Sequence, residues 1–592
     1  MGTAARTGTA LLLGAVTLAL GMSAHAAMAP AATSSPAAAE DLPPAPRVVA
    51  GVDLEPILNG MSLEQKVGQL LFLSFGGTEM DERTERLLRE KRPGGVALFS
   101  RNIVNRKQLR ALTHDVKDVM AADIPPFLAV DQEGGTVIRL KDHATLLPSA
   151  MALGASRSPS LSEAAGRAVG ADLRAAGFNM NFAPVLDVNS NPDNPVIGAR
   201  SFGEKPELVA ELGASFIAGL RASGVAAVAK HFPGHGDTTE DSHYRLPSLP
   251  HDLDRLMRLE LAPFKRASDE GLAAVMTAHL ALPRIAEEPD LPASLSKNVL
   301  TDMLRKRLRF GGIIMTDGLE MEAVAGRYGA GNAAVRAVKN GADMVMVLWY
   351  PERKNEVHRA LLHAARTGEI PAPRLDDAVL RILGEKAKLG LLGPVPPPPV
   401  VPGRSLVGMD DQVASAAVTL LRNEGDVVPL SREQQVLVVS PHPVFSNAIK
   451  QRMPRVRTVV IPSTAGPERR REALKQAIKQ GREADVAVVA VINDVQLSIA
   501  QALRRDRPGR PLVVVSLTSP YLLQEVPEVD AYLCTYSYLR PSQVAAARVL
   551  TGYAPARGRL PVTIPGFYAF GDGIIPPRAA TAAGSGPRSA PE

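Results

Sequence analysis

The sequence predicts an α/β protein: a (β/α)8 TIM-type barrel followed by a second α/β sandwich domain. Three observations carry that prediction. Eight short, continuously apolar runs alternate with amphipathic stretches between residues 70 and 347; a proline run then breaks the beat; and five more apolar runs follow it. Strands buried on both faces of a parallel sheet read as unbroken apolar runs rather than as alternation. Eight successive βα units in about 330 residues fit a barrel, whose usual size is ~250 residues and more with insertions. A doubly wound open sheet is the competing topology, and eight consecutive units favour closure.

Each element follows in chain order. Arg6, the apolar run Ala10 to Met22 and the small-residue end Ser23-Ala24-His25-Ala26 read as a secretory signal peptide over 1–26, cleaved at that site. The run is shorter than the roughly 20 residues that span a bilayer. Residues 27–50, rich in Ala, Pro and Ser, read as a disordered spacer. The barrel is placed at 51–392, with strands at Leu70–Phe75, Gly95–Phe99, Phe127–Val130, Phe178–Phe182, Val225–Ala229, Ala273–Met276, Gly312–Met315 and Ala342–Val347. Helical patterns such as Glu207–Ala222 and Asp252–Glu270 lie between them. The run from Gly393 to Pro402 favours extended polyproline and marks a linker over 393–404. The second domain, 405–570, carries strands at Val436–Val439, Thr458–Ile461, Val486–Ile492, Leu512–Leu517 and Ala531–Tyr536, with helices such as Glu468–Gln480 and Pro541–Leu550. Residues 571–592 read as a disordered tail. These signals place the mature protein outside the cytoplasm, secreted or periplasmic, with no integral membrane segment.

Composition removes several classes. Hydrophobic residues make up 45% of the 592-residue chain and charged residues 22%, so large cores are available and wholesale disorder is excluded. Aromatics at 4%, with one Trp, argue against a surface of stacked rings for nucleic acid or carbohydrate. A net charge of +6 with no long basic run gives no nucleic-acid footprint. Cys534 is the only cysteine, which excludes an internal disulfide framework, an iron–sulfur cluster and a cysteine-built zinc site.

Active sites of parallel barrels form at the C-terminal ends of the strands. Here the third strand ends in Asp131-Gln132-Glu133-Gly134-Gly135, the fourth runs through Asn181 to Asp187, the fifth ends in Lys230-His231, the sixth in His279 and the seventh in Asp317. Any one of these could be an ordinary capping or loop residue. Five ionisable ends in succession point to one polar pocket, since charges beside buried strands are costly unless paired or used. The segment from Lys230 to His243 packs three His, one Lys and three carboxylates into a Gly- and Pro-punctuated loop. Asp241 and His243 are two apart, so in extended backbone their side chains share a side, as a carboxylate–imidazole acid/base pair requires. His231, His235, Asp241 and His243 could also be metal ligands, although their Gly-rich spacing matches no ligand motif. Asp317 reads either as the nucleophile of a two-step displacement or as an N-cap.

These residues resemble glycoside hydrolase family 3, and within it the two-domain bacterial β-N-acetylglucosaminidases of the NagZ type. Lys230-His231-Phe232-Pro233-Gly234-His235-Gly236-Asp237-Thr238 with Asp241-Ser242-His243 is similar to that signature nearly residue for residue. Pro93-Gly94-Gly95-Val96, Asp131-Gln132-Glu133-Gly134-Gly135, Asn181-Phe182-Ala183-Pro184, Arg200-Ser201-Phe202 and Val275 to His279 are similar too. The resemblance spans about residues 60–392 and continues more weakly into the second domain.

The resemblance implies an exo-acting, retaining β-N-acetylhexosaminidase that removes terminal N-acetylglucosamine from peptidoglycan- or chitin-derived glycosides without a cofactor or metal. Asp317 falls at the nucleophile, and His243, oriented by Asp241, at the acid/base. Asp131, Arg200, Lys230 and His231 fall at sugar-binding positions, with His279 placed in the pocket lining. The expected partner is a carbohydrate and the expected state a monomer. Thr136 stands where the family often has Arg, and Gly318 where a second acidic residue is common. Alternatives are a phosphorylase or β-glucosidase of the same family, a metal-dependent hydrolase, or a non-catalytic cell-wall-binding protein.

Overall fold

The computed structural model describes residues 42–242, 244–393 and 406–575. Eight strands form the first domain: β1 (Leu71–Leu73), β2 (Gly95–Ala97), β3 (Phe127–Val130), β4 (Met180–Asn181), β5 (Ala226–Phe232), β6 (Ala274–Thr277), β7 (Ile313–Gly318) and β8 (Met344–Val347). Each pairs in parallel with the next in the chain, and β8 pairs back with β1, closing the barrel. Every strand residue is buried except Asp317. The interior is filled by side chains. Phe72 and Phe182 meet edge-on at 5.3 Å, and Gly95 is glycine because a Cβ there would lie 2.3 Å from the Phe72 ring. At the opposite end from the strand termini, buried Asp343 takes Arg305 at 2.6 Å, Arg374 at 2.8 Å and the Ile314 amide at 2.9 Å.

Two local expectations change. The stretch 252–270 is two helices, Leu253–Arg258 and Ala262–Asp269, rather than one. Pro263 has no N–H for the carbonyl of Leu259, so the helix must restart with proline in its first turn. Residues 42–50, expected to end a disordered spacer, are folded. Val48–Val49 pair with Val52–Asp53, the Pro43 carbonyl accepts from Arg381 at 2.7 Å, and Pro46 packs on Gly384 of the helix Ala372–Lys388. The expected signal peptide and the linker residues 394–405 lie outside the described residues.

The second domain is a six-stranded sheet, one strand more than expected. In chain order the strands are β9 (Thr419–Asn423), β10 (Val436–Ser440), β11 (Val456–Val460), β12 (Val486–Val491), β13 (Leu512–Ser516) and β14 (Ala531–Cys534). The spatial order is β9-β14-β13-β12-β10-β11, and only β9 runs antiparallel. As a short edge strand with partly exposed Arg422 and Asn423, β9 lacks the apolar run that marks the buried strands. Side chains alternate between two cores: Leu437, Val439 and Val489 face one with Ala477 and Leu503, and Val438, Val488 and Val513 face the other with Phe445 and Leu550. Helices therefore cover both faces. Residues 571–575, expected in the tail, continue the fold, with the Ile574 amide donating to Leu420 O at 2.7 Å. Among the described residues no helix is long and apolar enough to cross a membrane.

Candidate active site

The strand ends surround a cavity of about 300 Å³, lined by Asp131, Glu133, Arg200, Lys230, His231 and Asp317 among others. That volume is at the small end of ligand sites. Lys230 and His231 come from the end of β5, Asp317 from the end of β7, Asp131 and Glu133 from the turn after β3, and Arg200 from the helical turn Gly198–Arg200 after β4. Trp349, beyond β8, lines one wall together with Phe99, 4.7 Å away, and the Arg101 guanidinium stacks on the indole at 4.1 Å. Glu320 fixes that wall by accepting the amides of Leu348, Trp349 and Tyr350 at 2.5–3.1 Å. The single tryptophan thus stands at the cavity, although low aromatic content argued against ring stacking as a general surface.

The polar floor is a charge-balanced cluster. Glu133 takes Arg200 through two parallel contacts of 2.8 Å and Lys230 at 2.6 Å, and Lys230 also reaches Asp131 at 2.7 Å. Burial alone would raise the Glu133 pKa, but the Arg200 and Lys230 charges overcome it and hold the carboxyl well below the usual carboxylate range. Burial opposes the Lys230 charge, and Asp131 and Glu133 more than offset it, raising that pKa. Glu133, Arg200 and Lys230 are therefore ionised near neutral pH, and their contacts fix donors and acceptors at the cavity floor.

Beneath them sits Asp187, fully buried. It accepts His231 Nδ1 at 2.7 Å, the His231 amide at 3.1 Å and the His235 amide at 2.7 Å. Burial would raise its pKa, but His231 and the other contacts lower it overall. The Asp187 contact places the His231 proton on Nδ1 and leaves Nε2 toward Arg200, 3.4 Å away.

Asp317 lines the cavity, and its Oδ1 accepts the Gly318 amide at 2.6 Å. His279 is fully buried; its Nε2 donates to Gly318 O at 3.0 Å and its Nδ1 meets Ser294 Oγ at 2.7 Å, which sets it against the Asp317–Gly318 peptide. Gly318 stands where the family often has an acid, and its backbone amide is the donor to Asp317 Oδ1.

The loop after β5 is tied down at several points. His235 bonds Thr238 Oγ1 at 2.7 Å and Ser242 Oγ at 3.0 Å, and Asn194 holds the His235 and Thr238 carbonyls at 2.8 and 3.0 Å. Burial pushes the His235 pKa down to about 4, partly countered by Asp187. Gly236 has no side chain because a Cβ would lie 1.8 Å from Val188 O. Asp241 is half-buried, and its carbonyl accepts the Tyr244 and Arg245 amides at 3.1 Å, turning the chain back. His243 lies outside the described residues. Of the proposed metal set, His231 Nδ1 bonds Asp187, and His235 bonds Thr238 and Ser242. Asp237, His251 and Glu260 do bring ligand atoms within 4.8 Å of one another, but the Arg255 guanidinium, 3.0 Å from Glu260 and 3.6 Å from Asp237, already offsets part of their charge.

Sequence reasoning named Asp131, Arg200, Lys230, His231 and Asp317 as site residues, and the structure brings all five to one cavity. It did not assign roles to Glu133, which joins the two cations, or to Asp187, which orients His231. Both stood in strand-end segments, and the signal that could have found them is the need for every buried cation or imidazole to have a partner.

Barrel, cavity and strand-end carboxylates are an arrangement compatible with an enzyme that cleaves glycosidic bonds. The chain belongs to glycosyl hydrolase family 3: the family's N-terminal domain matches residues 62–384 and its C-terminal domain residues 418–569. It is 30% identical over 539 residues to β-hexosaminidase A of Pseudoalteromonas piscicida, covering 80% of this chain and 89% of that one. A β-hexosaminidase of Thioalkalivibrio sulfidiphilus is 40% identical over 301 residues, 49% of this chain and 84% of the relative. Among solved structures, a glycoside hydrolase family 3 β-N-acetylglucosaminidase from Paenibacillus sp. FPU-7 superposes with a TM-score of 0.79 at 36% identity, covering 85% of this chain and 99% of that one.

Proposed function

We propose that this protein is an exo-acting, retaining β-N-acetylglucosaminidase acting outside the cytoplasm as a monomer on peptidoglycan- or chitin-derived glycosides. The observation that carries the reading is Asp317, the one barrel-strand residue that is not buried, opening onto the same cavity as the Asp131–Lys230–Glu133–Arg200 cluster. The names of the relatives support the hexosamine, and they do not favour a β-glucosidase, a phosphorylase or a non-catalytic wall-binding protein.

In this reading the terminal sugar binds through Asp131, Arg200, Lys230 and His231. Asp317 attacks the anomeric carbon while the bond to the leaving oxygen breaks, and His243, oriented by Asp241, gives that oxygen a proton. A glycosyl ester of Asp317 results. His243 then takes a proton from water as the water attacks the same carbon, and the Asp317 carboxylate departs. Two inversions give net retention. Turnover of 4-nitrophenyl N-acetyl-β-glucosaminide beside the corresponding glucoside, with the product anomer followed by NMR, tests the reading. The glucosaminide should be much the better substrate, with β product formed first; a preferred glucoside or an α product rejects it.

A further inference from the structure

The acid/base segment and the sugar-binding residues share one buried carboxylate. From the cavity inward, Arg200 Nη2 lies 3.4 Å from His231 Nε2, and His231 Nδ1 lies 2.7 Å from Asp187 Oδ2. The other Asp187 oxygen accepts the His235 amide at 2.7 Å, and His235 Nε2 meets Ser242 Oγ at 3.0 Å. Ser242 is the residue between Asp241 and His243 in the chain. Asp187, His235 and Ser242 are 0%, 1% and 4% exposed, so water does not compete for these bonds.

The tautomer of His235 follows from its neighbours. Thr238 gives its hydroxyl proton to the His235 carbonyl at 3.0 Å, so it accepts from Nδ1–H, and Nε2 is left to accept the Ser242 hydroxyl. The Ser242 bond therefore has a defined direction and cannot slide to an alternative donor. Close packing adds stiffness: Gly236 lies directly against the Val188 carbonyl, one residue beyond Asp187.

We propose that Ser242 and His235 are positioning residues which tie the acid/base segment, through Asp187, to the residues that grip the sugar. The pair touches no substrate. Its work is to hold Ser242, between Asp241 and His243 in the chain, in fixed register with the residues that line the pocket. The inference rests on the proposed function, and it goes beyond it in assigning a coupling path to two residues outside the reacting set.

The test compares Ser242→Ala and Ser242→Thr with the unaltered full chain on two glucosaminides. Methyl N-acetyl-β-glucosaminide needs leaving-group protonation, and the 2,4-dinitrophenyl glycoside does not. The readout is kcat/KM, which reports the first chemical step. Ser242→Ala should lower it about 10²-fold on the methyl glycoside, the scale of a 1 Å misplacement, and less than about threefold on the dinitrophenyl glycoside. Ser242→Thr, which keeps the hydroxyl, should recover most of the loss, and His235→Gln should follow Ser242→Ala if its melting temperature shows a folded protein. Equal losses on both glycosides, or no loss on either, with unchanged melting temperature, overturn the proposal and leave the hexosaminidase reading standing. An unaltered chain inactive on both glycosides overturns that reading, and this one with it.

Discussion

Glu133→Gln isolates the electrostatic half of the site. The substitution keeps the side chain's shape and removes one charge from a position 6% exposed, where the carboxylate holds Arg200 at 2.8 Å twice and Lys230 at 2.6 Å. The amide's oxygen can still accept, but its NH2 must face a cation, and one buried positive charge loses its counter-ion. Breaking a buried pair from one side costs about 3–5 kcal/mol. With an unfolding entropy of ~2.1 cal/mol/K per residue over about 350 barrel residues, a loss near 4 kcal/mol lowers Tm by about 5 °C. The released cations no longer present a fixed donor pattern, so KM should rise on the order of tenfold, equivalent to about 1.4 kcal/mol of binding, with a smaller change in kcat. Thermal unfolding with and without N-acetylglucosamine, beside steady-state kinetics, gives both numbers. A double variant, Glu133→Gln with Arg200→Met, removes the orphaned charge and should recover stability without recovering affinity. A single variant with Tm and KM both unaltered refutes the argument, and so does a double variant with strictly additive losses.

Other expectations follow from the same geometry. Asp317→Ala should lose several orders of magnitude in kcat on every glycoside with little change in Tm, measured by initial rates and thermal unfolding; rates within about tenfold of the unaltered enzyme would remove it as nucleophile. His279→Ala takes away the donor that holds Gly318 O, so kcat should fall about ten- to a hundredfold while KM stays constant. Asp343→Ala strips the carboxylate shared by Arg305 and Arg374, and should cost about 3–5 kcal/mol in denaturant titration without altering KM. His235 gives a pH signature: its folded pKa of about 4 lies below the unfolded 6.5. Below pH 6.5 the unfolded chain binds the proton more readily, so stability worth about 3 kcal/mol is complete above that pH and is lost as pH falls toward 4. His235→Gln should flatten that window in urea titrations at successive pH values.

The barrel was legible because its strands are buried on both faces, and that demand writes continuous apolar runs whatever the loops do. The same contrast exposed Asp131, Lys230, His231 and Asp317, since an ionisable group directly after such a run has to be paired or used. Arg200 is different. It sits in a loop with no periodic signal, and only resemblance singled it out. His279 shows what a strand-end position leaves open: the residue's place in the chain is fixed, while the direction of its side chain depends on Ser294, fifteen residues later. Glu133 and Asp187 were in view as letters but not as partners, because pairing across loops is a property of the closed barrel. Residues 42–50 and 571–575 were assigned to disorder from their composition or position, yet Pro43, Pro46 and Ile574 are held by specific contacts with Arg381, Gly384 and Leu420. Composition reports what a segment could bury by itself, and these segments bury themselves against something else.

Among the described residues the second domain contributes none that line the cavity, yet its contacts are not spread at random over the barrel. Ser149 donates to Tyr536 O at 2.6 Å, Asn189 to the Tyr521 hydroxyl at 3.1 Å and Arg157 to Leu560 O at 2.7 Å, and Glu204 takes both the amide and the hydroxyl of Thr563 at 2.6 and 2.9 Å. Each of these barrel residues belongs to the segments after β3 and β4, the same two that supply Asp131, Glu133, Asp187 and Arg200. Loops are the least constrained parts of a barrel, and a binding cluster with 2.6–2.8 Å contacts tolerates little movement. Docking a second domain onto those loops holds the Asp131, Glu133 and Arg200 side of the cavity still, while Asp317, at the end of a buried strand, needs no such support. Tyr521→Phe discriminates between this and an inert seam. It removes only the hydroxyl that meets Asn189, two residues from Asp187, and should raise KM with little effect on Tm, whereas an inert seam leaves KM where it was.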